Sequence, residues 1–324
     1  MGFAHPRRSA GAAAVNETYL RTARLLTQVA PSVFVDDTFA LKGGTAVNLF
    51  YRDLPRLSVD LDLVFRDHTI PRVAALAQID AGIRAMATRL RARGFTTRAP
   101  INVDGETKLV VQRDGITIKI EVNTVMRGTV HPVQSAPLAA RASDILQADL
   151  DLPVVSLEDV YGGKLAAAMD RQHPRDLFDV LQLFAHEGIT PAIRRAFVVY
   201  VASHNRPVHE LLFPADQDIA LAYSGSFAGM TAEQVPLADL LNARTRMKSE
   251  LQFALDADER AFLLSLVAGN PEWERLGVAL LSQLPAVLWK LQNLEQLKRA
   301  NPGKFATQRE RLMERFDDMG EPRV

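Results

Sequence analysis

The spacing of apolar and polar residues changes period several times along the first third of the chain. In "NETYLRTARLLTQVA" apolar residues recur every three or four positions, Leu20, Ala23, Leu26 and Val29 among them, which predicts an amphipathic helix with Asn16 as its N-cap. "TFALKGG" predicts a short strand that ends in a tight turn, and helical spacing resumes from Thr45 to Tyr51 through Ala46, Leu49 and Phe50. "RLSVDLDLVF" then alternates as a strand does. After Pro71 a long amphipathic helix runs to Gly94, its natural C-cap, with Ile79, Ile83, Met86 and Leu90 inside and Arg84, Arg89, Arg91 and Arg93 largely outside. Two alternating runs in "ETKLVVQRDGITIKIEVNTV" flank Asp114-Gly115, a strong hairpin signal.

The second half reads differently. "SLEDVYGGKLAAAMDRQHPRDLFDVLQLFAHEG" predicts two helices, the first opened by Ser156 with Asp159 in a capping-box pattern, the second opened by Pro174 and ended by Gly188. From Thr190 onward the patterning is helical, softened between about Pro207 and Met230. The expected fold class is α+β. Residues 1–15 read as a flexible lead, 16–155 as a core with a mixed or antiparallel sheet flanked by helices, and 156–324 as a mostly helical region.

Acids inside an apolar strand raise the chemical question. Residues i and i+2 of a strand share a face, so Asp60 and Asp62 point one way and Val59, Leu61 and Leu63 the other. Two like charges side by side need water, a cation or a hydrogen-bond partner, and a divalent metal supplies this most directly. On the hairpin's second strand Ile116, Ile118 and Ile120 share one face and Thr117, Lys119 and Glu121 the other, which makes Glu121 a third acid on a polar face. Gly43 and Gly44 open a helix whose free N–H groups suit an anion, and Thr45 adds a hydroxyl there. A glycine pair alone is more often just a turn; the three acids nearby make the constellation suit metal-assisted phosphoryl or nucleotidyl transfer.

Other motifs are weaker. "GGKL" at Gly162–Leu165 fails as a P-loop, because Glu158 replaces the first glycine and Leu165 the Ser or Thr. Lys164 and Arg171 lie seven positions apart on one helical face and suit a triphosphate, although a mid-helix lysine is usually solvated. Asp176 and Asp179 read first as acids at a helix start. Lys plus Arg equals Asp plus Glu at 38 each, which excludes a uniformly basic surface and leaves any polynucleotide to local patches: Arg84, Arg89, Arg91 and Arg93, or Lys298, Arg299, Lys304, Arg309 and Arg311. The absence of cysteine removes disulfides, thiol catalysis and cysteine-ligated metals. No apolar run approaches the roughly 18 residues of a membrane span, so a cytoplasmic protein without membrane association is expected.

"LKGGTAVNLFYRDLPRLSVDLDLVF" and "GGKLAAAMDRQHPRDLFDVLQL" together resemble the AbiEii/AbiGii toxins, which include the MenT proteins, within the DNA polymerase β-like nucleotidyltransferase superfamily. The resemblance implies that Gly43, Gly44 and Thr45 hold nucleotide phosphates, with Ser58 as a further contact, and that Asp60 and Asp62 bind Mg²⁺, two ions being expected. It puts Glu121 at the third acid, where Asp is usual, Lys164 at the triphosphate, and Asp176 or Asp179 at the acid partner of Lys164. The activity implied is transfer of a nucleoside monophosphate from an NTP to RNA, at the tRNA 3′ acceptor end, in a type IV system with a cognate antitoxin. A protein or small-molecule hydroxyl as acceptor, or an inactive binding module of the same fold, are the alternatives.

Overall fold

A computed structural model describes residues 10–320 apart from 59, 99–100, 104–105 and 232. Of the expected flexible lead, residues 1–9 lie outside the described residues. The first helix, α1 (Ala10–Val33), already runs through Asn16, because the alanine-rich stretch ahead of that residue favours helix as strongly as the stretch behind it. The expected N-cap is therefore an interior residue.

β1 (Phe39–Lys42) leads through the glycine pair into α2 (Gly43–Ala46), which continues as a π-turn over Val47–Tyr51. β2 (Leu61–Phe65) is shorter than its alternating pattern, so Ser58 and Asp60 lie on the approach to the strand. α3 (Arg72–Ala92) buries Ile79, Ile83, Met86 and Leu90 as its periodicity predicts. Then come β3 (Thr96–Thr97), β4 (Ile101–Val103), β5 (Glu106–Arg113) and β6 (Ile116–Arg127). The turn between the last two has positive φ at Asp114 (50°) and Gly115 (75°), the primed geometry that matches the twist of a hairpin. β7 (Gln134–Pro137), α4 (Ala140–Leu146) and β8 (Asp151–Val154) complete the sheet region.

The strands form one mixed sheet in the order β3-β5-β6-β2-β1-β8-β7, with β4 beside β5. β2 runs antiparallel to β1 and parallel to β6, which sets the hairpin's second strand directly against the acidic strand. The helical part comes next: α5 (Leu157–Arg171), α6 (Pro174–Ala185), α7 (Pro191–Ala202), α8 (Val208–Leu212), α9 (Ala220–Ser226), α10 (Leu237–Ala254), α11 (Ala257–Val267), α12 (Pro285–Ala300) and α13 (Pro302–Asp318). One buried hydrophobic cluster runs from α1 to α13, so sheet and helices share a core. Leu57 N–H donates to the Met230 carbonyl, which ties the approach to β2 to the helical part. No described helix is long and apolar enough to cross a membrane.

One local expectation changes. Ser156 Oγ accepts from Asp159 N–H, but the buried Asp159 carboxylate accepts from the Val130 and His131 backbone N–H groups at 2.8 Å and from Ser156 Oγ at 3.0 Å, so the capping box is only half formed. The glycines of "GGKL" lie inside α5 and serve packing: a Cβ on Gly162 would stand 2.8 Å from Ala196 of α7.

Candidate active site

Register brings charged side chains into a row across four strands. Lys42 on β1 pairs with Asp62 on β2, Asp62 with Glu121 on β6, and Glu121 with Lys108 on β5. Lys108 Nζ lies 3.1 Å from Glu121 Oε1. Each acid thus has a cation as one strand neighbour, while the two acids face each other. Burial pushes the Asp62 carboxyl up; Lys42 and Lys164 oppose this, and Asp60 and Glu121 add to it. Asp60 is also raised by burial, partly offset by Lys119.

The glycine pair sets a backbone against these acids. Gly43 has φ +74°, and a Cβ there would stand 2.1 Å from Asp62 Oδ2. A Cβ on Gly44 would come within 2.9 Å of both Arg56 Nη2 and Ser58 Oγ. Thr45, expected at the phosphates, is instead fully buried; its hydroxyl donates to the Asp60 carbonyl at 2.5 Å and lies 3.1 Å from Ser58 Oγ. It braces the loop that carries Asp60. The π-turn widens the helix just after Thr45 and delivers Asn48 Nδ2 to the Gly44 carbonyl at 2.8 Å and to Asp179 Oδ1 at 3.3 Å.

Opposite the acidic row stands α5. Lys164 is 9% exposed, not solvated as a mid-helix lysine usually is, because α6 brings two carboxylates to it. Its Nζ lies 3.3 Å from Asp176 Oδ1 and 3.0 Å from Asp179 Oδ2. Arg171 Nε donates to Asp176 Oδ2 at 2.6 Å, so Lys164 and Arg171 meet at one carboxylate. Arg56 donates to both oxygens of Asp179 at 2.7 Å. Burial favours the neutral form of both aspartates, yet Lys164 and Arg171 at Asp176, and Arg56 and Lys164 at Asp179, hold them below the usual carboxylate range. Both candidate partners of Lys164 are thus engaged.

Between the two walls lies a cleft of about 410 Å³. Lys42, Gly43, Asp62 and Glu121 line the sheet side, and Lys164 and Arg171 the helical side. The family model for the nucleotidyl transferase AbiEii toxin, type IV toxin–antitoxin system, matches residues 24–293. This chain belongs to the AbiEii toxin family.

As an AbiEii toxin it is a nucleotidyltransferase that uses an NTP. Among solved structures, MenT4, a nucleotidyltransferase toxin of Mycobacterium tuberculosis H37Rv, is similar in fold: the likeness covers 78% of this chain and 88% of that one, with 22% identity and a TM-score of 0.57. A search of curated proteins returned no match.

Such transferases typically take a divalent metal, and the donors here fit one: oxygen-only carboxylates, two of them raised by burial and by their neighbours' charge, a state a hard cation relieves. Asp60, Asp62 and Glu121 are not drawn together as a ready three-ligand set, however; among the described residues no three acidic or imidazole side chains converge on one point. Lys108 holds Glu121, and Asp60 precedes the strand. The AbiEii site also contains residues that the motif reading passed over: Lys42, Asn48 and above all Arg56. The one signal for Arg56 is a lone cation in the apolar stretch "DLPRLSV".

The α3 arginines do not border the cleft. Phe39 packs on Gly82 of α3, whereas Lys42, three residues on, points to the opposite face of the sheet. Arg84 pairs with Asp80, and Arg89 and Arg93 donate to Ser32 of α1.

Proposed function

We propose that this AbiEii toxin transfers a nucleoside monophosphate from an NTP to a 3′ hydroxyl of RNA, at the acceptor end of tRNA, with Mg²⁺, and so blocks translation. The observation that carries the transfer is the facing of the two walls: an acidic row on β2 and β6 opposite an anchored Lys164 and Arg171. Asp60 and Asp62 would hold Mg²⁺, which when bound supplies charge to the α-phosphate and makes the acceptor hydroxyl more acidic.

The chain's own groups do the rest. Lys164 and Arg171 take the β- and γ-phosphates, and the backbone at Gly43 and Gly44 lets the triphosphate lie close to the sheet. The acceptor oxygen forms a bond to the α-phosphorus as the bond to pyrophosphate breaks. Its proton passes to a carboxylate of the acidic face, a role that Glu121, beside Asp62 in register, would take. Arg56 acts through Asp179, keeping the anchor of Lys164 fixed. The work belongs in the cytoplasm, restrained by a cognate antitoxin that need not form a stable complex with it.

The test is to incubate wild type and Asp62→Ala with Mg²⁺, total tRNA and each α-³²P NTP in turn. Label on tRNA from wild type alone is the expected result. Label on protein, or none, would overturn the RNA assignment.

A further inference from the structure

The acidic cleft does not end at Glu121. Along β6 it passes Asn123 and Val125 and meets a second hollow, of about 540 Å³, which also uses Val125. Here the loop before α3 faces the start of α12, and four side chains carry the chemistry: His68, Arg72, Arg127 and Trp289.

Arg127 is 5% exposed; its Nη1 donates to the Ile70 carbonyl at 3.0 Å, but its Nε is buried without a partner. His68 Nε2 is likewise buried and unpartnered. The Arg72 guanidinium lies 5.0 Å from the centroid of the Trp289 ring, and Trp289 is 39% exposed. No acid lines the hollow among the described residues, and the charge that bears on Arg127 is that of Arg72, of the same sign. The first turns of α3 and α12 both open here, and neither N-cap, Pro71 or Leu284, makes a side-chain cap bond.

Two guanidiniums without a carboxylate, a buried donor without an acceptor and two uncapped helix starts all suit an anion with several oxygens. An exposed indole backed by an arginine suits a flat ring. A nucleotide of a single strand offers both at once. Six residues of strand separate Glu121 from Arg127, no more than about 20 Å. That is too far for the nucleoside that receives the transfer and within reach of those that precede it.

We propose that this hollow is the acceptor-strand subsite, holding a backbone phosphate of single-stranded RNA between Arg72 and Arg127 and stacking the adjoining base on Trp289. The assignment rests on the reading of the acceptor as RNA.

The chain has two tryptophans, Trp273 and Trp289, so a Trp273→Phe background isolates the second. In that background a short single-stranded RNA with a free 3′ hydroxyl should quench the remaining fluorescence on binding. Arg72→Gln and Trp289→Ala, both at exposed positions, should each weaken binding of the same RNA by about tenfold or more. Arg72→Gln should also lower the salt slope of binding by about one. The KM for NTP should stay as in wild type, because neither residue lines the nucleotide cleft. If wild type and both variants bind and are labelled alike, with no quenching, the subsite is wrong and the RNA acceptor stands. If wild type neither binds nor labels RNA, both fall.

Discussion

Asp62 sits between Lys42 and Glu121 in register and is raised by its burial, so its carboxylate costs stability where it stands. Asp62→Asn should therefore lower transfer by about 10²-fold or more while leaving the urea midpoint unchanged or higher. A variant that keeps its activity, or unfolds, would count against the assignment. Arg56 is the opposite case. Arg56→Ala leaves Asp179 buried with one of its two cations gone, which should cost about 3–5 kcal/mol in chemical denaturation. Asp60, Asp62 and Lys164 were legible in the sequence as residues of two motifs, and Glu121 as an acid on an alternating strand. Arg56 was not, because its partner lies on α6 and only the tertiary fold joins them. Thr45 misled for the same reason: its hydroxyl had a taker in the Asp60 carbonyl, invisible before β2 is laid beside α2.

Among the elements, α5 is held by its neighbours more than by its own sequence. Gly162 lets it approach α7, so Gly162→Ala should cost about 1–3 kcal/mol by overpacking, read as a lower urea midpoint with m unchanged. At its start Asp159 holds the loop after β6 through the Val130 and His131 N–H groups, and the His131 ring lies 3.1 Å from the same carboxylate. That hydrogen bond raises the His131 pKa above its ordinary value. A raised folded-state pKa contributes stability that is fully present below about pH 6.5 and is lost as pH rises through the folded value. Unfolding free energy should fall over that window, and His131→Gln should flatten the fall. The hairpin, α3 and α6 could be read from period and turn residues alone. β7 and β8 could not: "QSAP" and "DLPV" carry proline and no alternation, and become strands only by pairing with each other and, at Val154, with β1.

Taken whole, the molecule spreads balanced charge over a single core, and the family match ends before α13. That helix still buries Leu312 and Phe316, the latter edge-on to Phe213. Ending the chain after Ala300 should therefore cost several kcal/mol, at about 1.5–3 kcal/mol per large apolar side chain, and lower the melting temperature. Label transfer by the remaining folded protein should persist, since nothing in α13 lines the cleft. Asp176 and Asp179 anchor Lys164 before any ligand is present. An ammonium fixed when the chain folds does not have to be fixed again when the nucleotide arrives. The ordering of this side chain is thus part of the free energy of folding and is not subtracted again from that of binding.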